Sequence, residues 1–467
     1  MTDYDPIDAP EASSLPANPY HADYGDDDGL ITAPFAGRKA ALGRLYQQLT
    51  DPSHSGALVY IGRRHGGKTA LLRAFDSAFS SGYAGAYLSL RSTPPENETA
   101  LMLALAQSAT AALIQAGAGL ARLQDMEPPG EFPREWFTQS FLPNAIASLR
   151  QGRRLVFLID DAERLLIAMR AGSLRDDIFT FLRDLMTQFP GLAIVMTINA
   201  EYEDELSAFS PLVQPINTVR LGVLEADETR WLLQEPARGW FTVPDDCADS
   251  VHRATGGQPG LAQHFGYQIF RRWLSTPDVN VITLDDVRAL TPKVYQYAEP
   301  DFRYLWTRLS AGERAVLSAI SQLNYDDPLR APDAAAIEAW LVETDFPLDA
   351  MAIGAILRGL EYKETIVHAG GGVRPSAGLW ATWLLENGQF DSRSASLAQL
   401  PELPPVRTEL LVKDTAAAQP QVPVRGLLIV GTILGVIVAI IVLLALNSSG
   451  GLVVGVPQPT VTLNVTP

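Results

Sequence analysis

The chain has 467 residues, 47% of them hydrophobic, which gives room for roughly two to four folded domains and excludes a wholly disordered protein. Its single cysteine, Cys247, excludes an intramolecular disulfide scaffold and a thiolate zinc cluster. The 53 acidic and 36 basic residues leave a net charge of −17, which disfavours electrostatic binding of nucleic acid over the whole surface.

The N-terminal half has the pattern of an α/β domain behind an acidic arm. The first 30 residues contain eight Asp or Glu and no Lys or Arg, and we expect residues 1–17 to be a disordered arm. Within residues 18–220, short apolar runs alternate with stretches of helical periodicity. These runs are residues 57–61, 155–159 and 192–198. Apolar strands that alternate with helices predict a parallel sheet, and therefore an α/β fold for residues 18–220.

The next two segments are predicted to be mainly helical. Residues 221–300 have apolar residues at helical spacing, which predicts a small α-helical subdomain. Residues 301–395 predict three helices followed by a short hairpin, the order of a winged-helix domain. The predicted helices are residues 311–322, 331–342 and 348–360, and the predicted hairpin strands are residues 365–368 and 372–375.

The C-terminal segment predicts a membrane anchor. Residues 396–425 contain five prolines and read as a linker, and residues 426–446 follow without a charge. About 20 residues at 1.5 Å each span about 30 Å, the thickness of the bilayer core, so we expect a transmembrane helix rather than a buried core helix. Basic residues precede the span and none follows it, which predicts a cytoplasmic location for the preceding domains. The uncharged tail, residues 447–467, would then lie outside the cytoplasm.

A phosphate-binding motif follows the first predicted strand. The segment Gly62-Arg63-Arg64-His65-Gly66-Gly67-Lys68-Thr69 matches G-x-x-x-x-G-K-[ST] at every fixed position, and a predicted helix begins at Ala70. The glycines let backbone N–H groups face the phosphates, and the helix N-terminus favours the anion. We expect Lys68 to reach the β- and γ-phosphates and the Thr69 hydroxyl to bind Mg²⁺. The strand-and-helix context argues against a chance match in a glycine-rich turn.

Carboxylates and an amide end the next two predicted strands. Asp160 and Asp161 follow the apolar run 155–159, at the strand end where open α/β sheets bind ligands. We expect Asp160 to hold the Mg²⁺ shell and Asp161 to polarise the attacking water, with Glu163 as a weaker candidate. Asn199 ends the following strand and could orient water or the γ-phosphate. A solvated turn at either strand end is the alternative.

These motifs resemble those of the AAA+-related P-loop ATPases. Within that group, the chain is most similar to the signal-transduction ATPases with numerous domains (STAND) and to the archaeal and origin-recognition ATPases near them. Asn18-Pro19-Tyr20 followed by Phe35-Ala36-Gly37-Arg38 is similar to the N-P-[FY] and F-x-G-R segments of these proteins. Gly256-Gly257-Gln258-Pro259 resembles the G-G-x-P segment of their helical lid. Asp161 replaces the glutamate that is usual in AAA+ enzymes.

The resemblance implies a site and an activity. Tyr20 would lie beside the adenine, Pro259 would pack near the nucleotide, and residues 221–300 would form the lid. The implied ligands are ATP and ADP with Mg²⁺, and the implied reaction is a slow hydrolysis of ATP to ADP and phosphate.

The predicted winged helix is acidic. Residues 301–393 contain 13 acids and 8 bases, and the predicted recognition helix 348–360 has one base, Arg358. Because neutralised phosphates supply much of the affinity for DNA, this charge argues against nucleic acid and favours protein contacts. We therefore expect a membrane-anchored, nucleotide-gated signalling or scaffolding switch with a protein partner and nucleotide-dependent homo-oligomers. The alternatives are a DNA-handling ATPase similar to origin-recognition or transposition ATPases, and a non-hydrolysing ATP-binding protein.

Overall fold

The computed structural model describes residues 17–20, 35–50, 56–79, 82–123, 129–149, 152–277, 280–326 and 331–388. All but the last residue of the predicted acidic arm lies outside these ranges, as do the predicted linker, transmembrane helix and tail. None of the helices in the described ranges is both long enough and apolar enough to cross a bilayer.

The predicted parallel sheet is confirmed, with two strands more than the sequence indicates. Five parallel strands lie in the order β2-β3-β4-β1-β5. They are β1 (Ala57–Gly62), β2 (Tyr83–Ser89), β3 (Arg154–Asp160), β4 (Leu192–Asn199) and β5 (Thr218–Leu221). Strand β2 has small residues at Ala84, Gly85 and Ala86, which explains its weak apolar signal, and β5 has only four residues.

Helices cover both faces of this sheet. They are α1 (Lys39–Thr50), α2 (Lys68–Arg73), α3 (Phe75–Phe79), α4 (Glu98–Gln115), α5 (Pro133–Glu135), α6 (Leu142–Ser148), α7 (Glu163–Arg170), α8 (Ile178–Gln188) and α9 (Glu203–Phe209). Alternate residues of β1 enter different cores: Val59 and Ile61 pack on one side, and Leu58 and Tyr60 on the other. We call these strands and helices the α/β unit.

The rest of the described chain is helical except for one hairpin. Its elements are α10 (Ala226–Gln234), α11 (Asp245–Thr255), α12 (Pro259–Ser275), α13 (Leu284–Thr307), α14 (Ala311–Asp326), α15 (Ala334–Glu343), α16 (Ala350–Tyr362), the antiparallel strands β6 (Ile366–Ala369) and β7 (Gly372–Pro375), and α17 (Gly378–Asn387). The predicted order of three helices and a hairpin is therefore present at α14 to β7. The predicted boundary between residues 300 and 301 falls inside α13.

One hydrophobic core joins all of these helices. It contains buried residues from Leu224 to Leu384, in both the predicted lid and the elements that follow it, together with Tyr20 and Ala36 from the N-terminal part of the chain. For example, Phe302 of α13 and Trp380 of α17 have ring centroids 5.4 Å apart. Because close-packed cores resist internal shear, we treat the described residues from 224 to 388 as one body, the helical unit.

Candidate nucleotide site

The phosphate-binding loop is tightly folded between β1 and α2. Gly67 has φ of +84°, in the left-handed region that favours glycine, and it caps α2. The Gly66 N–H donates to the Arg63 carbonyl at 3.1 Å, which closes the turn before it. Since β1 is fully buried, the loop begins from a fixed point. The predicted strand-loop-helix arrangement is therefore present, with the helix beginning at Lys68.

Lys68 is folded back over its own loop. Its ammonium donates to the carbonyls of Gly62 at 3.1 Å and Arg63 at 2.8 Å, and to the Asn199 Oδ1 at 2.8 Å. Burial lowers the pKa of Lys68, and the carboxylates of Glu163 and Asp160 oppose that shift. The loop carbonyls thus accept the hydrogen bonds that the Lys68 ammonium would otherwise donate to a phosphate.

The Asp160 carboxylate is held by three hydroxyl groups. Oδ2 accepts from Thr69 at 2.7 Å and from Tyr87 at 3.1 Å, and Oδ1 accepts from Thr197. The described residues contain no group of three or more His, Cys, Asp or Glu that could hold a metal alone. A hydroxyl beside one carboxylate nevertheless fits Mg²⁺, because Mg²⁺ prefers oxygen ligands and usually keeps waters and substrate phosphates in its shell.

Asp161 is held in place by strand β4 and by Arg91. Its φ of +55° is uncommon outside glycine, and its N–H donates to the Thr197 hydroxyl at 3.1 Å. Arg91, two residues beyond β2, donates to both carboxylate oxygens of Asp161, at 3.1 and 3.3 Å. The predicted general base is therefore ion-paired.

Glu163 and Asn199 form a separate buried pair. The Asn199 backbone N–H donates to one carboxylate oxygen of Glu163 at 3.2 Å, and its side-chain amide donates to the other at 2.5 Å. Burial raises the pKa of Glu163 to about 7, with a further rise from the charge of Asp161. Glu163 thus anchors the Asn199 amide, which in turn accepts from Lys68.

Tyr20, which the resemblance places beside the adenine, and Pro259, which it places near the nucleotide, lie in different surroundings. Tyr20 is 1% exposed, belongs to the core of the helical unit, and donates its hydroxyl to the Leu233 carbonyl. Pro259 lies against the loop, since a Cβ on Gly67 would be 3.8 Å from it. Their predicted contact with the nucleotide remains a prediction.

A cavity of about 310 Å³ brings together the predicted phosphate and metal residues from Arg64 to Ala70 and Asp160, whereas Gly62, Arg63 and Glu163 are not part of its lining. Residues 64–70 form one wall, and Asp160, Asp161 and Asn199 form the sheet side. The remaining lining was not indicated by any motif: Arg73, Tyr87, Ser89, Arg91 and Ser92 beside the sheet edge, and Tyr297, Pro300 and Asp301 on α13. Tyr87 and Arg91 lie at or just beyond the end of β2, a strand that the apolar pattern of the sequence does not indicate.

The helical unit contacts every variable residue in the first part of the loop. Arg63 donates to the Glu364 carbonyl at 3.1 Å, and Asp301 pairs with Arg64 at 3.4 Å and with His65 at 3.1 Å. Although burial opposes it, the hydrogen bond from His65 and the charges of His65 and Arg64 hold the pKa of Asp301 below its usual range.

Helix α12, which belongs to the predicted lid, also touches the loop backbone. The Gly260 N–H donates to the His65 carbonyl at 2.9 Å, and the Gln258 amide donates to the Arg64 carbonyl at 3.1 Å. A Cβ on Gly260 would be 2.5 Å from the His65 Cβ, so this approach requires glycine. Helix α12 thus packs directly against the loop in this structure.

Comparison with solved structures gives the fold class. The Walker-type ATPase PABY2304 of Pyrococcus abyssi matches with 18% identity and a TM-score of 0.51, over 75% of this chain and 96% of that one. The ORC2 protein of Aeropyrum pernix, solved as ADPNP-ADP complexes, matches with 14% identity and a TM-score of 0.53, over 77% and 95%. The ORC1 protein of the same organism in complex with DNA matches with 16% identity and a TM-score of 0.35, over 77% and 94%.

The first two likenesses show that the chain shares the fold of these two proteins, a Walker-type ATPase and an ORC2 protein. No protein-family model matches the sequence. No curated protein matches it either.

Proposed function

We propose that this protein is an ATP-dependent switch, in which Mg²⁺ and ATP at the loop 62–69 change how the helical unit packs on the α/β unit. One observation carries the proposal: Arg63, Arg64 and His65 are each bound by the helical unit. A ligand that rearranges this loop must therefore alter the contacts that hold the two units together.

The first step of the switch would be the release of Lys68. To reach a phosphate, its ammonium has to leave the carbonyls of Gly62 and Arg63. The Arg63 side chain donates to the carbonyl of Glu364, whose half-buried side chain interacts electrostatically with Arg63, Arg220 and Arg38. Rearrangement at Arg63 would thus reach the turn between α16 and β6 without an intermediate element.

The shared core would transmit that change to the whole helical unit. Further contacts between the units lie beside the loop: Tyr304 donates to Glu201 at 2.7 Å, and Tyr362 donates to Glu203 at 2.7 Å. Because the lid and α14 to α17 share one core, they would move together rather than one after the other.

The site also supports slow hydrolysis. Bound Mg²⁺ would neutralise phosphate charge, and Thr69 and Asp160 would hold it. Asp161 would accept the proton of the attacking water, and its ion pair with Arg91 lowers its availability for that role. A protein that binds ATP without turning it over remains the alternative, which a measured rate would decide.

We propose that α14 to β7 form a winged helix with a partner-binding role. The arrangement of three helices and an antiparallel hairpin supports this assignment. The acidic charge of residues 301–393 favours a protein partner, which is also what the resemblance to STAND ATPases implies. That partner could be a second copy of this chain, in a homo-oligomer that forms in response to nucleotide.

A DNA-handling ATPase is the second candidate. The two structures that establish the fold are a Walker-type ATPase and an origin-recognition protein, so they support the origin-recognition side of the resemblance better than the STAND side. The expectation that nucleic acid is not a partner loses support accordingly. The charge of the predicted winged helix is the observation that still opposes this candidate.

We further propose that residues 426–446 anchor the protein in the cell membrane with the ATPase on the cytoplasmic side. The uncharged stretch and the basic residues before it support this proposal.

Hydrogen-exchange mass spectrometry on the full-length chain tests the switch. Adding ATP and Mg²⁺ should change amide protection in α13 and around Glu364, and Lys68→Ala should abolish the change. Asp301→Asn should reduce the change in α13, whereas Glu299→Gln, two residues earlier on the same helix, should not. Tight ATP binding with unaltered amide protection throughout the helical unit would show that ATP binding is not coupled to the packing of that unit.

A further inference from the structure

Tyr87 stands out among the groups that touch Asp160, because no nucleotide-binding motif includes it. Of the other two hydroxyls, that of Thr69 comes from α2, directly after the loop, and that of Thr197 comes from β4, the strand that pairs with β3. Tyr87 reaches Asp160 from β2, the edge strand, where it pairs in register with Leu158 of β3. Its hydroxyl is 3.1 Å from Asp160 Oδ2.

The ring of Tyr87 is itself held in position. The Arg73 guanidinium lies over it, 5.3 Å from the ring centroid, a cation–π arrangement. Arg73 is on α2, four residues after Thr69, so the two side chains occupy the same side of one helix. Both Tyr87 and Arg73 line the phosphate cavity. The ring is therefore fixed between the sheet edge and the helix that carries Lys68 and Thr69.

We propose that Tyr87 is a positioning residue for the metal ligand Asp160. Mg²⁺ demands near-octahedral geometry, so a carboxylate whose orientation is already fixed loses less freedom when the ion binds. The Tyr87 hydroxyl donates to Oδ2 together with Thr69, and Arg73 over the ring holds Tyr87 in place. This inference rests on the proposed Mg²⁺ and ATP site and adds the residue that orients it.

The test separates metal-dependent from metal-independent nucleotide binding. The dissociation constant of a fluorescent ATP analogue is measured on the full-length chain, once with Mg²⁺ and once with EDTA. Tyr87→Phe removes only the hydroxyl and should weaken binding in Mg²⁺ about tenfold, as is typical for groups that orient a metal ligand. In EDTA its affinity should equal that of the wild type. Mn²⁺ binding in the presence of ATP, followed by electron paramagnetic resonance, should weaken in parallel.

Tyr83→Phe is the matched control. Tyr83 lies four residues earlier on β2, and its ring packs against Phe75 and Phe79 instead of Asp160. Its loss of a hydroxyl should leave both affinities unchanged. Arg73→Met, at an exposed position, should cause a smaller loss in Mg²⁺ than Tyr87→Phe, and it provides a second variant if Tyr87→Phe lowers the melting temperature.

The possible results are distinguishable. Wild-type affinity of Tyr87→Phe and Arg73→Met in Mg²⁺ would overturn the inference, as would an equal loss in Mg²⁺ and in EDTA, which would indicate a structural role. Absence of ATP binding by the wild-type chain in both conditions would instead refute the proposed function.

Discussion

The Arg91 guanidinium donates one hydrogen bond to each carboxylate oxygen of Asp161, at 3.1 and 3.3 Å. Two-pronged pairs of this kind are among the stronger polar contacts in proteins, and they stabilise the ionised carboxylate. Each oxygen of Asp161 therefore already accepts a hydrogen bond from Arg91, which competes with one from an attacking water. The same contact that holds Asp161 at the cavity therefore restrains the reaction proposed for it.

Substitutions at this pair should change hydrolysis in opposite directions. Asp161→Asn should preserve ATP binding and stop hydrolysis, and the fold should tolerate it because Asn adopts the left-handed conformation readily. Arg91→Ala should raise the basal rate by roughly threefold to tenfold, a small part of the range for general-base catalysis. The rate of phosphate release measures hydrolysis by both variants. Continued hydrolysis by Asp161→Asn would remove Asp161 from the role of base.

Lys68→Ala should prevent ATP binding. Charge-assisted hydrogen bonds contribute about 1.5–3 kcal/mol each, so losing this ammonium should weaken binding by roughly a hundredfold or more. Titration calorimetry measures the change, with Lys39→Ala at the exposed start of α1 as the control. An unchanged affinity in Lys68→Ala would mean that the nucleotide binds elsewhere.

Glu163 should give the stability of the protein a distinct pH dependence. Burial raises its pKa from 4.5 to about 7, so its contribution to stability is complete below about pH 4.5 and is lost as the pH rises to about 7. The free energy of unfolding of the wild type, relative to Glu163→Gln, should therefore fall by up to about 3 kcal/mol from pH 4.5 to pH 7. Urea titrations at several pH values measure this difference.

The exposed Glu135→Gln is the control for that experiment. Its unfolding free energy should follow that of the wild type at every pH. Parallel curves for the wild type and Glu163→Gln would show that Glu163 titrates normally in the folded protein.

The full-length chain should not bind duplex DNA in a salt-sensitive way at micromolar concentration. Residues 301–393 contain few cations whose binding to phosphate would release counterions. Electrophoretic shifts at several salt concentrations, with and without ATP, measure this. A shift that weakens steeply with salt would favour the DNA-handling candidate, and Arg358→Ala should then reduce the salt slope by about one.

The full-length chain should sediment with membranes and resist alkaline carbonate, whereas a chain ending at Gln419 should be soluble and bind ATP. Apolar residues near the centre of a span each favour insertion by a few tenths of a kcal/mol, and residues 426–446 carry no opposing charge. A tag after Pro467 should be cleaved by external protease, and a tag before Met1 should be protected. Soluble full-length protein, or the reverse accessibility of the tags, would contradict the anchor or its orientation.

Local motifs predicted the centre of the site but not its surroundings. Asp160 ends strand β3, and Lys68 and Thr69 begin the helix that follows β1 and its loop. A parallel sheet brings the carboxyl ends of its strands together whatever the other residues are. Arg91 and Tyr87 depend on β2, whose small residues give little apolar periodicity. The pairing of Arg63 with Glu364 joins positions 301 residues apart, and no local propensity encodes a contact of that range.

The hydrogen bond from Tyr20 to Leu233 joins residues 213 positions apart, and the α/β unit lies entirely between them in the sequence. During synthesis, Tyr20 leaves the ribosome long before the helices that bury it. The α/β unit can therefore complete its own cores first, while the last core has to close a loop of more than 200 residues, which slows folding. Removal of residues 17–20 should then relieve the C-terminal half of the protein of this loop closure, so that half should fold no more slowly but be less stable, because the Tyr20 ring and its hydrogen bond are lost from the core.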